Sequence, residues 1–121
     1  MKVLLFEDDQ LLSSICKQKL DEAKINCLVF EYPPENLIET ILTEKPNLII
    51  MSVIMPHMDG FTATEKIRAD KRTKDTPLVF LTNLCQPENI KRGMDLGALK
   101  HFITAHITPS ELVEEIKKLN I

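Results

Sequence analysis

The chain has little that breaks a backbone and little that marks it for export, lipid or nucleic acid. Only 3 of its 121 residues are glycine, and no long polar or repetitive tract interrupts it. That excludes a tandem-repeat array and a large disordered segment. The three cysteines, Cys16, Cys27 and Cys85, are odd in number and lack close metal-ligand spacing. A closed disulfide framework and a zinc cluster are therefore excluded, which leaves reduced, partly buried packing residues. There is no basic excess either. The formal net charge is −3 with both signs interspersed, so no electropositive field exists to track a phosphate backbone, and no direct nucleic-acid partner is expected. The opening MKVLLF turns acidic at Glu7, too early for the core of a signal peptide. No later run approaches the roughly 18 apolar residues of a membrane span. The expectation is a soluble cytoplasmic protein with no membrane partner.

What is present suits one compact domain over residues 1–121. A chain of this length with 44% hydrophobic residues buries roughly two-thirds of its unfolded surface. Val3 to Phe6, Cys27 to Phe30, Leu48 to Met51, Leu78 to Leu81, and Phe102 with Ile103 are short apolar runs. Continuous runs read as strands buried on both faces of a parallel sheet, since half-exposed strands would alternate. Between them lie sets at helical spacing: Leu12, Ile15, Cys16, Leu20 and Ala23; then Leu37, Ile38, Ile41 and Leu42; then Phe61, Ala63, Thr64 and Ile67. A fourth helix is expected from about Pro87 to Leu96, stopped by Gly97, with Gly93 weakening its interior. The fifth begins at Thr108-Pro109-Ser110-Glu111, a capping-box pattern with proline at the first helical position.

Alternating β/α units with right-handed crossovers place helices on both faces of the sheet and gather ligands outside the carboxyl ends of the strands. That edge selects Glu7, Asp8 and Asp9 after the first strand, Ser52 after the third, Thr82 after the fourth and Thr104 after the fifth. Two readings stand for most of them. Glu7 and Asp8 form a residual site or are solvated strand ends; Thr82 is a ligand or a strand terminator; Asp9 caps a helix or decorates the pocket. Thr104 reads more simply as a neutral pocket or turn residue. His57, His101 and His106 lack metal partners and read as surface or packing residues. Met51, Met55 and Met58 read as core and loop packing, and Asp59 as a cap for the helix after Gly60.

VLLFEDD, PNLIIMSVIMPHMDG, TPLVFLTN and LGALKHFITAHITPSELVEEIKKL occur in this order. Together they resemble the receiver domain of two-component response regulators over residues 2 to 119. The resemblance implies a doubly wound (βα)5, flavodoxin-like α/β fold whose central five-stranded parallel sheet has order 2-1-3-4-5. It carries the family's acidic pair onto Glu7 and Asp8 and its fourth-strand hydroxyl onto Thr82. Two family groups are missing. The residue four before the loop proline is the family's phosphoacceptor aspartate, and counting back from Pro56 gives Ser52; the fifth strand's Lys-Pro is here Thr104-Ala105.

In such a site the aspartate attacks a phosphoryl group, and with the acidic pair it holds Mg²⁺ through oxygen ligands. Lysine and threonine engage the phosphoryl oxygens. The resemblance therefore implies no resident cofactor. Any Mg²⁺ site, at Glu7, Asp8 and the backbone carbonyl of Ile54, is weak or absent. Where family members carry acidic residues and an aromatic switch, this chain has Leu99, Lys100 and His101, which marks a partner-facing surface. The expectation is a non-enzymatic, phosphorylation-independent signalling interaction module, monomeric or weakly dimeric. Its partner would be a regulatory protein or domain, such as a histidine kinase or relay component. The alternatives are a conventional receiver in which Ser52 was substituted for the aspartate, a weak Mg²⁺-binding receiver regulated by other means, a hydrolase using Ser52 as nucleophile, and a flavodoxin-like cofactor binder. The hydrolase lacks a Gly-x-Ser-x-Gly elbow; the cofactor binder lacks a neutral phosphate-cradling loop at its first strand end.

Overall fold

Five parallel strands and five helices alternate along the chain in a computed structural model that describes residues 1–121. The strands are β1 (Lys2–Phe6), β2 (Asn26–Phe30), β3 (Leu48–Met51), β4 (Leu78–Thr82) and β5 (Lys100–Ile103). The helices are α1 (Gln10–Glu22), α2 (Leu37–Glu44), α3 (Gly60–Ala69), α4 (Pro87–Asp95) and α5 (Pro109–Lys118), with a 3-10 turn at Thr104–His106. Sheet order is β2-β1-β3-β4-β5, the expected 2-1-3-4-5, and every neighbouring pair is parallel. From β1 the winding goes first to β2 and then back across to β3. The switch point of the fold therefore lies between β1 and β3, where ligands of such sheets collect.

Side chains alternate across the sheet and build two cores. Val3, Leu5, Leu48 and Ile50 face Cys16 and Leu20 of α1 and Leu112 and Ile116 of α5. Leu4, Phe6, Ile49 and Met51 face Leu37 and Ile41 of α2 and Phe61 and Ile67 of α3. The expectation of strands buried on both faces holds for β1, β3 and β4 but not for the edges. β2 and β5 are only partly covered, and Val29 is exposed, because an edge strand has a neighbour on one side only. β5 also starts earlier than its apolar pair suggests: Lys100 and His101 pair in register with Val79 and Phe80, and backbone pairing is indifferent to their polarity. Ile15, expected on the buried face of α1, is exposed, whereas its neighbour Cys16 is buried; successive helical residues are turned by about 100°. Cys27 is buried too, but Cys85, expected to be partly buried, is exposed in the β4–α4 loop.

The helix starts follow the sequence. Asp9 caps α1 by accepting from Leu12 N at 3.0 Å, which settles its role in favour of capping. Asp59 caps α3, accepting from Thr62 N at 2.9 Å. Thr108 and Glu111 form the reciprocal capping box of α5, at 3.1 and 2.9 Å. Gly97 follows α4 with φ +82, the left-handed stop that glycine adopts without strain. At the opposite sheet edge Arg68 of α3 joins three segments: Nε donates to Leu96 O and Nη1 to Thr76 O, both at 2.8 Å, and Nη1 to Lys74 O at 2.9 Å.

Candidate functional site at the carboxyl edge of the sheet

Register brings the expected residues together. Phe6 pairs with Met51, so Glu7 and Ser52 leave the sheet side by side, with Ser52 N donating to Phe6 O at 2.9 Å. Met51 pairs with Phe80 and Thr82 with Ile103. Thr82 and Thr104 therefore occupy the same edge on the next two strands. Glu7, Ser52 and Thr82 are buried, whereas Asp8 and Thr104 are half-buried. Thr104 opens the 3-10 turn, and its hydroxyl makes no hydrogen bond within the chain. Ala105 N instead donates to Asn83 Oδ1 at 3.1 Å, joining the β4–α4 loop to the end of β5, a contact no sequence pattern signals.

Glu7 is the electrostatic centre. Burial pushes its carboxyl up to about 7, and neighbouring Asp8 adds to the rise; the Asp9 N–H and the Ser52 hydroxyl pull it back. The Asp9 N–H donates to Glu7 Oε2 at 3.0 Å. Near neutral pH Glu7 is thus divided between its acid and its carboxylate. Beside it Ser52 supplies a neutral oxygen where a third carboxylate would complete a cation site. The loop after β3 is held tightly: Gly60 N donates to Val53 O at 2.8 Å, and a Cβ added at Gly60 would lie 1.8 Å from Ser52 O. Glycine is required there by close backbone approach.

A magnesium ion fits this donor set poorly. Hard divalent cations favour several anionic oxygens, and no group of three or more acidic, histidine or cysteine side chains is arranged to hold one. The Ile54 carbonyl accepts no backbone hydrogen bond, which leaves two carboxylates, one of them partly protonated, and one free carbonyl. Nor is there a serine-histidine pair. His57 has a positive φ of 69 and lies against Tyr32 with ring centroids 4.6 Å apart; His106 is exposed; His101 Nε2 lies 3.0 Å from Leu84 O.

At the expected partner-facing surface Leu99 and Lys100 are exposed and His101 is half-buried, its ring 5.9 Å from that of Phe80. Thr82 Oγ1 accepts from Leu84 N at 3.2 Å, so Leu84 connects Thr82 to His101. Sequence reading left Gly93 unexplained, although a glycine inside a helix is itself a signal of close packing. Here a Cβ at Gly93 would lie 2.9 Å from His101 Nδ1.

Known proteins resemble the chain along almost its whole length. The DNA-binding dual master transcriptional regulator RpaA of Synechocystis is 27% identical over 98% of this chain and 48% of its own length. The transcriptional regulatory protein RprY of Bacteroides fragilis is 30% identical over 98% and 49%. The chain thus spans about half the length of these curated relatives. The solved structure of Vibrio cholerae chemotaxis protein CheY4 superimposes with a TM-score of 0.85 at 23% identity, covering 97% of this chain and 96% of that one. At that identity the likeness speaks for the fold. Residues 3–117 match the response regulator receiver domain, and the chain belongs to that family of two-component signalling domains.

Proposed function

We propose that this receiver domain, taken as one unit over residues 1–121, signals by docking a regulatory protein or domain without passing through an aspartyl phosphate. The observation that carries the reading is Ser52: the strand end beside Glu7 and Asp8 presents a buried hydroxyl in place of a carboxylate. A serine hydroxyl is a weak nucleophile unless a base activates it; burial draws the Glu7 carboxyl beside it toward the protonated form, and with Thr104 just after β5 no cation neutralises an incoming phosphoryl group at that strand end. The domain needs no catalytic activity of its own in this role. Magnesium has at best a weak site at Glu7, Asp8 and the Ile54 carbonyl, because hard cations favour more anionic oxygens than these supply. The docking face runs over α4, β5 and α5, where Met94 and Leu99 expose apolar surface beside Lys100. A histidine kinase or relay component fits as partner. The domain acts in the cytoplasm as a monomer or weak dimer, without direct contact to nucleic acid or membrane.

Incubation with a small phosphodonor and Mg²⁺, followed by intact-mass measurement, tests the negative half. No phosphorylated species is expected from the natural sequence. Labelling should return in the S52D/T104K double variant, which restores nucleophile and cation together. Efficient labelling of the natural sequence at Ser52 would sink the proposal. The positive half rests on affinity capture with the intact domain, in which L99A and K100A should each reduce partner recovery.

A further inference from the structure

On the far side of the sheet from β5, β2 ends the strand order and keeps one edge of its backbone free. Asn26 N donates to Met1 O at 3.0 Å, and Phe30 O accepts from Glu7 N at 2.9 Å. Alternate residues of β2 therefore turn their backbone groups to β1, and Cys27 and Val29 turn theirs outward. The Cys27 carbonyl is taken by Lys17 Nζ at 2.9 Å, a charged side chain that blunts the edge there. Val29 has no such cover and is exposed. Just beyond it the strand runs into a cavity of about 620 Å³ between the β2–α2 loop and His57. Tyr32 is its aromatic wall, 39% exposed, with the His57 ring 4.6 Å away. Pro33 and Pro34 fix the loop and, lacking N–H groups, end the free edge. Glu31 and Glu35 bring two carboxylates to the cavity, and no lysine or arginine lines it. Neither forms an ion pair, although Glu39 and Glu44 of the adjoining α2 pair with Arg72 and Lys2.

We propose that this edge binds an extended segment of a partner protein that carries an arginine: its backbone pairs with the free N–H and carbonyl of Val29, and its guanidinium enters the cavity between Tyr32 and the two glutamates. A strand added to an open edge gains main-chain hydrogen bonds, and a pocket for one of its side chains gives selectivity. Arginine suits the cavity because one planar cation both lies over an aromatic ring and forks onto a carboxylate. Lysine offers only a point charge. Glu31 and Glu35 repel an acidic segment. They also disfavour a second copy of this chain, which has a net charge of −3 and brings the same two glutamates to its own edge. The surface lies across the sheet from α4, β5 and α5, and it holds whatever the fate of Ser52.

Nuclear magnetic resonance of the whole domain, titrated with a short synthetic peptide of alternating threonine and valine around one arginine, decides it. Saturable shifts should appear at the Val29 and Glu31 amides and at the Tyr32 and His57 rings. The same peptide with glutamate in place of arginine should leave them unmoved. Methylating one alternate set of the peptide's backbone nitrogens should abolish binding, and methylating the other set should not, because only one set faces the edge. The E31Q/E35Q double variant should bind the arginine peptide about fivefold more weakly, Y32A should bind it about threefold more weakly, and L99A, on the other docking face, should bind it unchanged. The proposal is overturned if the glutamate peptide binds equally well, if neither methylated peptide loses binding, or if no saturable shift appears at Val29. Shifts at Val29 that grow with protein concentration alone would make a second copy the occupant and overturn it too. Should Y32A fail to fold, the methylated peptides, which leave the protein untouched, are sufficient.

Discussion

Glu7 makes the stability of this fold depend on pH in a direction unusual for a carboxyl group. Its ordinary value of 4.5 rises to about 7 in the folded protein, first through burial. The folded state therefore holds the proton more tightly than the unfolded chain. The stabilising contribution is complete below pH 4.5 and is lost as pH rises through about 7. At 1.36 kcal/mol per pH unit the shift amounts to at most about 3 kcal/mol. The isosteric E7Q variant keeps an acceptor for the Asp9 N–H and removes the titration. Chemical denaturation at about pH 5 and pH 8 should show the natural protein weaker at the higher pH and E7Q nearly unchanged; equal differences in both proteins would refute this. Gly60 gives a second residue-scale expectation. The added methyl of G60A would run into the Ser52 backbone oxygen rather than a movable side chain, so it should cost about 3 kcal/mol or more in denaturant melts.

Among the elements, α5 is secured by local chemistry and α4 by very little. The capping box of Thr108 and Glu111 satisfies two backbone N–H groups, so T108A should lower stability by about 1 kcal/mol in the same melts. That box was legible in the sequence because a cap is written in contiguous residues. So was β3, whose observed bounds at Leu48 and Met51 are those of the apolar run, since a central strand is buried on both faces. Less was legible where long-range packing decides. Ile15 resembles a core residue but points to solvent; Thr64 is polar but fully buried, because its hydroxyl donates to Gly60 O at 2.8 Å and needs no water. The carboxyl-edge residues were legible from topology alone. The raised carboxyl of Glu7 and the His101–Gly93 fit were not, because each depends on how deep a group lies and what stands opposite it.

For the molecule as a whole, the sheet keeps its candidate chemistry at one edge and part of its mechanical closure at the other. Arg68 collects carbonyl oxygens from the α3–β4 connection and the α4–β5 turn, binding segments far apart in sequence. Lysine cannot reproduce that planar fork, so R68K should lose about 2 kcal/mol and raise amide exchange at Leu96 and Thr76 together; exchange confined to one of them would show that the residue does not join the two. The three thiols are sorted just as unevenly across the molecule. Burial pushes Cys16 up to about 11 and Cys27 up to about 12, and both are buried in the core, while Cys85 stands in solvent one residue from Leu84. The thiolate is the reactive form, so a maleimide dye or spin label added to the natural protein will attach at one position, placing a reporter on the β4–α4 loop without any change of sequence.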